Sequence, residues 1–313
     1  MTNRVFLLIL LAVVALLATG CTSSKPDEPT LPADLPTPTS SLRILSVGNS
    51  FSLDAFLYVP YLMIEAAPEV DITIGILMQS GGALQTQHFK LTNDVQYFYF
   101  KWTRSKGYWE ESTRIGREVL AEEPWDVVVL QQLSQLSTNY NTYTAPLDGV
   151  LAWLRNQGYQ GKLGWLLTQS YANGYYPLAD GSVTTSSGQP LRTSDEMAAA
   201  VAQCAKRVME DYDFDLLLPC GTAVQRARHT TLNSEGDFGG LTADGFHMQE
   251  GIGRYIEACA VTYALLTPEA RLGDINVRNS WNCPYPHSSI TGMSPTNQAL
   301  ARQCAQDAAI NPY

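Results

Sequence analysis

Basic residues are scarce in this 313-residue sequence: 20 Lys and Arg stand against 30 Asp and Glu, a formal net charge of -10. The isoelectric point is about 4.8. A nucleic-acid binder carries a basic patch or stripe, so nucleic acid is a poor partner for this chain. An anionic membrane surface is a poor partner for the same reason. No GxxxxGK(S/T) or GxGxxG run occurs, which leaves nucleotide-phosphate binding without support. No CxxC spacing suggests zinc, and no internal repeat is visible. Histidine is rare, four in all, and only His247 lies in a motif that reads as catalytic. What is present is a globular composition, 45% hydrophobic and 16% charged. One large domain fits the length, with two as the alternative.

Residues 1–20 read as a leader. Arg4 supplies the positive start, and Val5 to Ala18 is an apolar run too short to span a bilayer comfortably. The run ends in Leu17-Ala18-Thr19-Gly20-Cys21, which resembles a bacterial lipoprotein signal. That resemblance implies cleavage before Cys21, lipidation of its sulfur and a lipid-anchored place in the cell envelope. Ala18 departs from the pattern, because Leu is commoner there. A plain secreted protein and an uncleaved anchor are the alternatives. Residues 21–41 hold five prolines and few large apolar side chains. They read as a semi-extended tether. Five cysteines follow Cys21, an odd number that cannot pair fully. Cys204, Cys220 and Cys259 read as small buried hydrophobes. Cys283 and Cys304 flank a loop-rich tail, and a disulfide between them is left open.

Residues 42–313 alternate strands and helices. Strands are expected at 42–47, 70–77, 125–130, 162–168 and 214–219, from short β-branched and apolar runs. Helices are expected at 54–67 (with Pro60 a possible kink), 110–122, 145–157, 194–211, 221–232 and 249–267. The helix at 194–211 starts on Ser194 as N-cap, with an acidic first turn. Residues 169–193 read as a long surface loop. This order predicts a three-layer α/β/α sandwich around a central parallel sheet of about five strands, flavodoxin-like in plan. Ligands bind such sheets at the carboxyl ends of the strands.

The residues after the strands carry the chemistry. Gly48-Asn49-Ser50-Phe51-Ser52 follows the first strand and would present a serine hydroxyl at the sheet edge; a plain helix cap is the alternative. It is not the GxSxG elbow, because the fifth residue is Ser52. Asp244-Gly-Phe-His247 would supply a base and the carboxylate that orients it. Gln79-Ser80-Gly81-Gly82 follows the second strand and Leu130-Gln131-Gln132 the third; both are candidates for oxyanion donors. Each has an ordinary turn or surface reading beside it.

Taken in order, these four blocks resemble the SGNH, or GDSL-type, hydrolases, and most closely their DUF4886 branch. The likeness rests on Gly48-Asn-Ser-Phe51, Asp126-Val-Val-Val-Leu-Gln131-Gln132 and Asp244-Gly-Phe-His247. Pro219-Cys-Gly-Thr-Ala223 adds to it, and it covers about residues 42–267. The resemblance implies Ser50 as nucleophile, His247 as base and Asp244 as its orienting acid. It implies oxyanion donors at Ser50 and at Gly81 or Gly82. The family's third donor is usually an Asn in a GxND block, which is missing here; Gln132 or Gln131 would have to serve. Asn49 stands where the superfamily usually has Asp. No metal or organic cofactor is implied.

Residues 97–109 hold seven aromatics, and Tyr140, Tyr143, Tyr171, Tyr175 and Tyr176 follow in later loops. Aromatic faces beside polar loops suit sugar rings, although core packing is the competing reading. An O-acyl, chiefly O-acetyl, esterase acting on a carbohydrate, glycoconjugate or small ester is the leading expectation. A non-catalytic glycan-binding lipoprotein, or a lipase or thioesterase with the same triad, are the alternatives.

Overall fold

The computed structural model describes residues 37–233, 240–267, 270, 272 and 293–313. The leader, Cys21, most of the tether and Cys283 lie outside the described residues.

Seven strands form one sheet in the order β4-β3-β2-β1-β5-β6-β7. They are β1 Ser40–Gly48, β2 Val70–Met78, β3 Tyr97–Thr103, β4 Trp109–Arg114, β5 Val127–Leu130, β6 Lys162–Leu166 and β7 Leu216–Leu218. Strands β2, β1, β5, β6 and β7 are mutually parallel, the five expected from the sequence. The first begins at Ser40, inside the stretch read as tether. The helices are α1 Ser50–Phe56, α2 Val59–Ala66, α3 Leu84–Thr92, α4 Gly116–Glu122, α5 Thr144–Asn156, α6 Tyr176–Ala179, α7 Ser194–Asp211, α8 Cys220–Arg228, α9 Ile252–Leu265 and α10 Pro295–Ile310.

The parallel strands are apolar on both faces because helices cover both. In β5, Val127 and Val129 face one core while Val128 and Leu130 face the other. The first core is built with α1, α2, α8, α9 and α10; the second with α3, α5 and α7. Helix α9 is buried along nearly its whole length.

Four expectations need correction. Residues 110–114, expected to start the helix at 110–122, belong instead to the edge strand β4, paired antiparallel with β3. The edge strand is polar and largely exposed from Glu110 to Arg114, so the alternation that marks a half-buried strand is absent. Pro60 does not kink one helix; it sits in the first turn of α2, a second helix, where its missing N–H costs nothing. The cap of α7 is Thr193, one residue earlier than expected. Its side chain accepts the Glu196 N–H while Glu196 accepts the Thr193 N–H. The loop-rich tail contains α10, whose buried face is Gln298, Ala301, Cys304, Ala305 and Ala308. Such small side chains give a weak hydrophobic signal yet let α10 pack closely on α8 and α9. Cys304 is a buried free thiol there, as are Cys204, Cys220 and Cys259. Burial pushes the Cys204 thiol up to about 11 and the Cys259 thiol up to about 12, which makes both unreactive.

Thr193→Ala should lower stability by about 1 kcal/mol through loss of the capping box. A thermal melt would register this as a drop of a few degrees, with no change at the sheet's carboxyl edge.

Candidate active site

Strand order reverses between β1 and β5, so a crevice opens at their carboxyl ends. Ser50 stands at this point. It is the first residue of α1, one residue after Asn49, whose side chain accepts the Phe51 N–H and caps the helix. The structure therefore separates the two readings of this block: Asn49 does the capping and leaves the Ser50 hydroxyl for other contacts. Gly48 allows the tight approach beneath it, because a Cβ there would run into Ser52 Oγ and the Gln131 side chain.

The partner arrives from far along the chain. Residues 241–249 form a tight hairpin, closed by the Thr242–Met248 bridge and by bonds from Ala243 N to His247 O and Gln249 N to Leu241 O. Its turn needs Gly245 at φ +96°. Asp244 Oδ1 accepts the N–H groups of Phe246 and His247 across that turn. Its other oxygen, Oδ2, lies 2.7 Å from His247 Nδ1. His247 Nε2 lies 2.9 Å from Ser50 Oγ, 197 residues away in sequence. The structure thus brings together the three residues read as a triad. Burial raises the Asp244 carboxyl, but the hydrogen bonds from His247 and from the two backbone N–H groups outweigh it and hold the carboxyl below its usual value.

Aromatic rings fix the imidazole. Phe246 lies 3.9 Å from it centroid to centroid, with Tyr175 at 5.2 Å on Phe246. Phe51 meets His247 edge-on at 5.9 Å. The loop after β6 holds the hairpin tip: Ala172 N donates to Gly245 O and Gln169 Nε2 to Phe246 O.

The oxyanion candidates divide. Among the described residues, the N–H groups of Ser50 and Gly81 have no protein acceptor and remain available. The Gly82 N–H donates to Gln79 O, closing a turn. Gln132 is a correction. It is buried away from the cavity, where Nε2 donates to Thr142 O and Oγ1, while Oε1 accepts the N–H groups of Leu84 and Leu133. Gln131 is likewise engaged: Nε2 donates to Asn49 Oδ1 and Oε1 accepts from Ser52. Ser46 donates to Ser52, and Asn49 Nδ2 donates to Gly82 O. The two glutamines thus brace the strand ends from below rather than reaching the substrate side.

A cavity of about 540 Å³ opens beside Ser50 and His247. Leu53, Met78 and Met248 form its apolar side; Ser80, Gln249 and Glu250 line the rest with the ion pair Asp54–Arg254. Sequence reasoning missed Asp54 and Arg254. Asp54 had a readable signal, the one charged residue of a short helix, one turn after Ser50. Most of the aromatics held for sugar stacking are core residues: Tyr97, Tyr99, Phe100, Trp102, Trp109, Tyr140, Tyr143 and Tyr171 are all buried. Phe98 and Tyr176 are exposed. No group of His, Cys, Asp and Glu among the described residues is arranged to hold a metal ion.

A family model described as "Domain of unknown function (DUF4886)" matches residues 43–283. The chain belongs to the DUF4886 family. A crystal structure of a DUF4886 family protein from Bacteroides uniformis ATCC 8492 is similar at 26% identity and a TM-score of 0.67. That match covers 87% of this chain and 96% of the other. More distant likenesses include the acetyl xylan esterase AlAXEase, at 11% identity and a TM-score of 0.44 over 69% of this chain and 96% of that one. TesA is similar at 15% identity and a TM-score of 0.42 over 72% and 98%. No curated protein matches the sequence.

Two measurements test this description. Gln132→Ala should cost about 1–3 kcal/mol of stability by orphaning buried partners. Its effect on turnover should stay below the ~10²–10³ typical of a lost oxyanion donor. Asp244, with its folded-state pKa depressed, contributes stability above the unfolded carboxylate value near ~3.9 and loses it as pH falls through the lower folded value. Urea midpoints between about pH 6 and pH 3 should therefore fall less steeply in Asp244→Asn than in wild type.

Proposed function

We propose that the protein is a serine esterase that removes short O-acyl groups, chiefly O-acetyl, from a carbohydrate or glycoconjugate. The observation that carries the proposal is the chain of contacts from Ser50 Oγ to His247 Nε2 at 2.9 Å and from His247 Nδ1 to Asp244 Oδ2 at 2.7 Å, beside an open cavity. Proton transfer needs this reach of about 2.6–3.2 Å.

In the proposed reaction, His247 Nε2 takes the Ser50 proton as Oγ attacks the ester carbonyl carbon. The carbonyl oxygen becomes an oxyanion facing the N–H groups of Ser50 and Gly81. Asp244 stays ionised and stabilises the imidazolium. The tetrahedral intermediate collapses, the C–O bond to the alcohol breaks, and His247 returns its proton to that leaving oxygen. Water, deprotonated by His247, then attacks the acyl carbon; the bond to Ser50 Oγ breaks, His247 returns its proton to that oxygen, and the acid leaves.

The cavity lining supports a small acyl group. A fatty chain needs a continuous apolar channel, whereas Ser80, Gln249, Glu250 and the Asp54–Arg254 pair interrupt the apolar side of this cavity, and polar groups left facing hydrocarbon are costly. This favours an acetyl-type esterase over a lipase or thioesterase. The leader adds the proposal that Cys21 carries a lipid, so that the tether holds the esterase at the cell envelope.

Hydrolysis of 4-nitrophenyl acetate and acetylated xylan by residues 37–313, which keep the whole of β1, tests the assignment. Ser50→Ala and His247→Ala should each lose ~10³-fold or more. A folded wild type no faster than Ser50→Ala on both esters would remove the short-acyl esterase reading and move the glycan-binding alternative ahead.

A further inference from the structure

The Asp54–Arg254 pair is the part of the cavity wall that the proposed chemistry leaves without a role. Asp54 is buried to 2% exposure and Arg254 to 11% at the side chain. Charged groups so deep are uncommon and persist only where partners satisfy them. Asp54 lies four residues after Ser50 on α1. Its Oδ2 accepts the Met248 N–H at 2.9 Å, and its Oδ1 accepts Arg254 Nε at 3.0 Å. Met248 follows His247 directly. Arg254 lies in the first turn of α9, just past the hairpin. The hairpin that carries Asp244 and His247 is therefore gripped at its exit by the helix that carries Ser50.

One turn further along α9 is Glu257, fully buried, with neither carboxyl oxygen hydrogen-bonded. Burial and the nearby Asp54 charge push its carboxyl well above the usual range. Asp54 and Arg254 meet as an ion pair at 3.0 Å beside it. The Ala172 and Gln169 bonds tie the hairpin tip to the loop after β6, while Phe51 of α1 packs on Phe246 and His247 and Tyr58 Oη donates to Glu250 O at its exit, so that Asp54 supplies the charged part of the contact with α1.

We propose that Asp54 is a positioning residue that docks the Asp244–His247 hairpin onto the Ser50 helix and thereby fixes the Ser50–His247 distance. Its catalytic consequence rests on the esterase reading; the docking does not. A misplacement of about 1 Å at such a contact costs ~10²-fold in rate.

Asp54→Asn tests this in the whole chain. The amide keeps the size of the carboxyl but turns one acceptor into a donor facing Met248 N–H or Arg254. Three quantities are read: the melting temperature, kcat and KM on 4-nitrophenyl acetate, and amide hydrogen exchange over residues 241–250. Expected are a 10- to 100-fold fall in kcat at unchanged KM and exchange at least 10-fold faster in the hairpin, with β1 and β5 unaltered. Unchanged hairpin exchange overturns the proposal, and so does an unchanged kcat in an active enzyme. If wild type hydrolyses no ester, the esterase reading fails, and hairpin exchange alone decides the docking. If Asp54→Asn does not fold, Arg254→Lys keeps the cation without the Nε bond and is put through the same measurements. Unaltered exchange and kcat in that variant overturn the proposal.

Discussion

Everything at this site depends on one long-range contact, the closure of a C-terminal hairpin onto the helix that leaves β1. Ser50 and His247 are 197 residues apart, and Asp54 and Arg254 are 200 apart. Neither helix nor hairpin holds the geometry alone. Helix α1 has only seven residues and is marginal by itself. The hairpin is too small to be stable in isolation. Packing against α9 and the sheet supplies the stability that lets both present side chains at hydrogen-bonding distance.

Beneath that contact lies a second layer of buried polar bonds. Ser46, Ser52, Gln131 and Asn49 form a connected chain, and Asn49 reaches on to Gly82. These groups are satisfied by one another, which is the condition for polar side chains to be buried without penalty. The network ties the ends of β1, β5 and the turn after β2 into one platform. The glutamines of the third block hold this platform in place. The arrangement leaves backbone N–H groups at Ser50 and Gly81 as the available donors, so an oxyanion would be met by main-chain groups that need no side-chain reorganisation.

Much of this was legible before the fold was known. The five parallel strands follow from apolar runs such as Trp125-Asp-Val-Val-Val-Leu130, because strands covered on both faces must be apolar throughout. Helix α7 matched its expected span to the residue. Ser50, Asp244 and His247 stood out because each sits in a turn-forming block beside a predicted strand or helix. Two of the missed elements share a physical cause. Strand β4 is polar because it is an edge, and α10 is rich in alanine because it packs closely, so neither carries a strong hydrophobic period. The aromatic run at 97–109 was ambiguous because a strand covered on both faces and a sugar platform use the same residues.

The sequence by itself determined the parallel α/β plan, the turn geometry around Gly245 and the chemical types at the site, since these follow from local pattern and from backbone preferences within a few residues. Only the tertiary structure decided which amides face the cavity and which are buried beneath it. Gln131, Gln132 and Gly82 are chemically able to donate to an oxyanion; their partners Asn49, Thr142 and Gln79 are what take them out of reach. The same is true of Asp54. Its role is set by a backbone N–H at Met248 and a guanidinium at Arg254, neither of which is near it until the chain has folded.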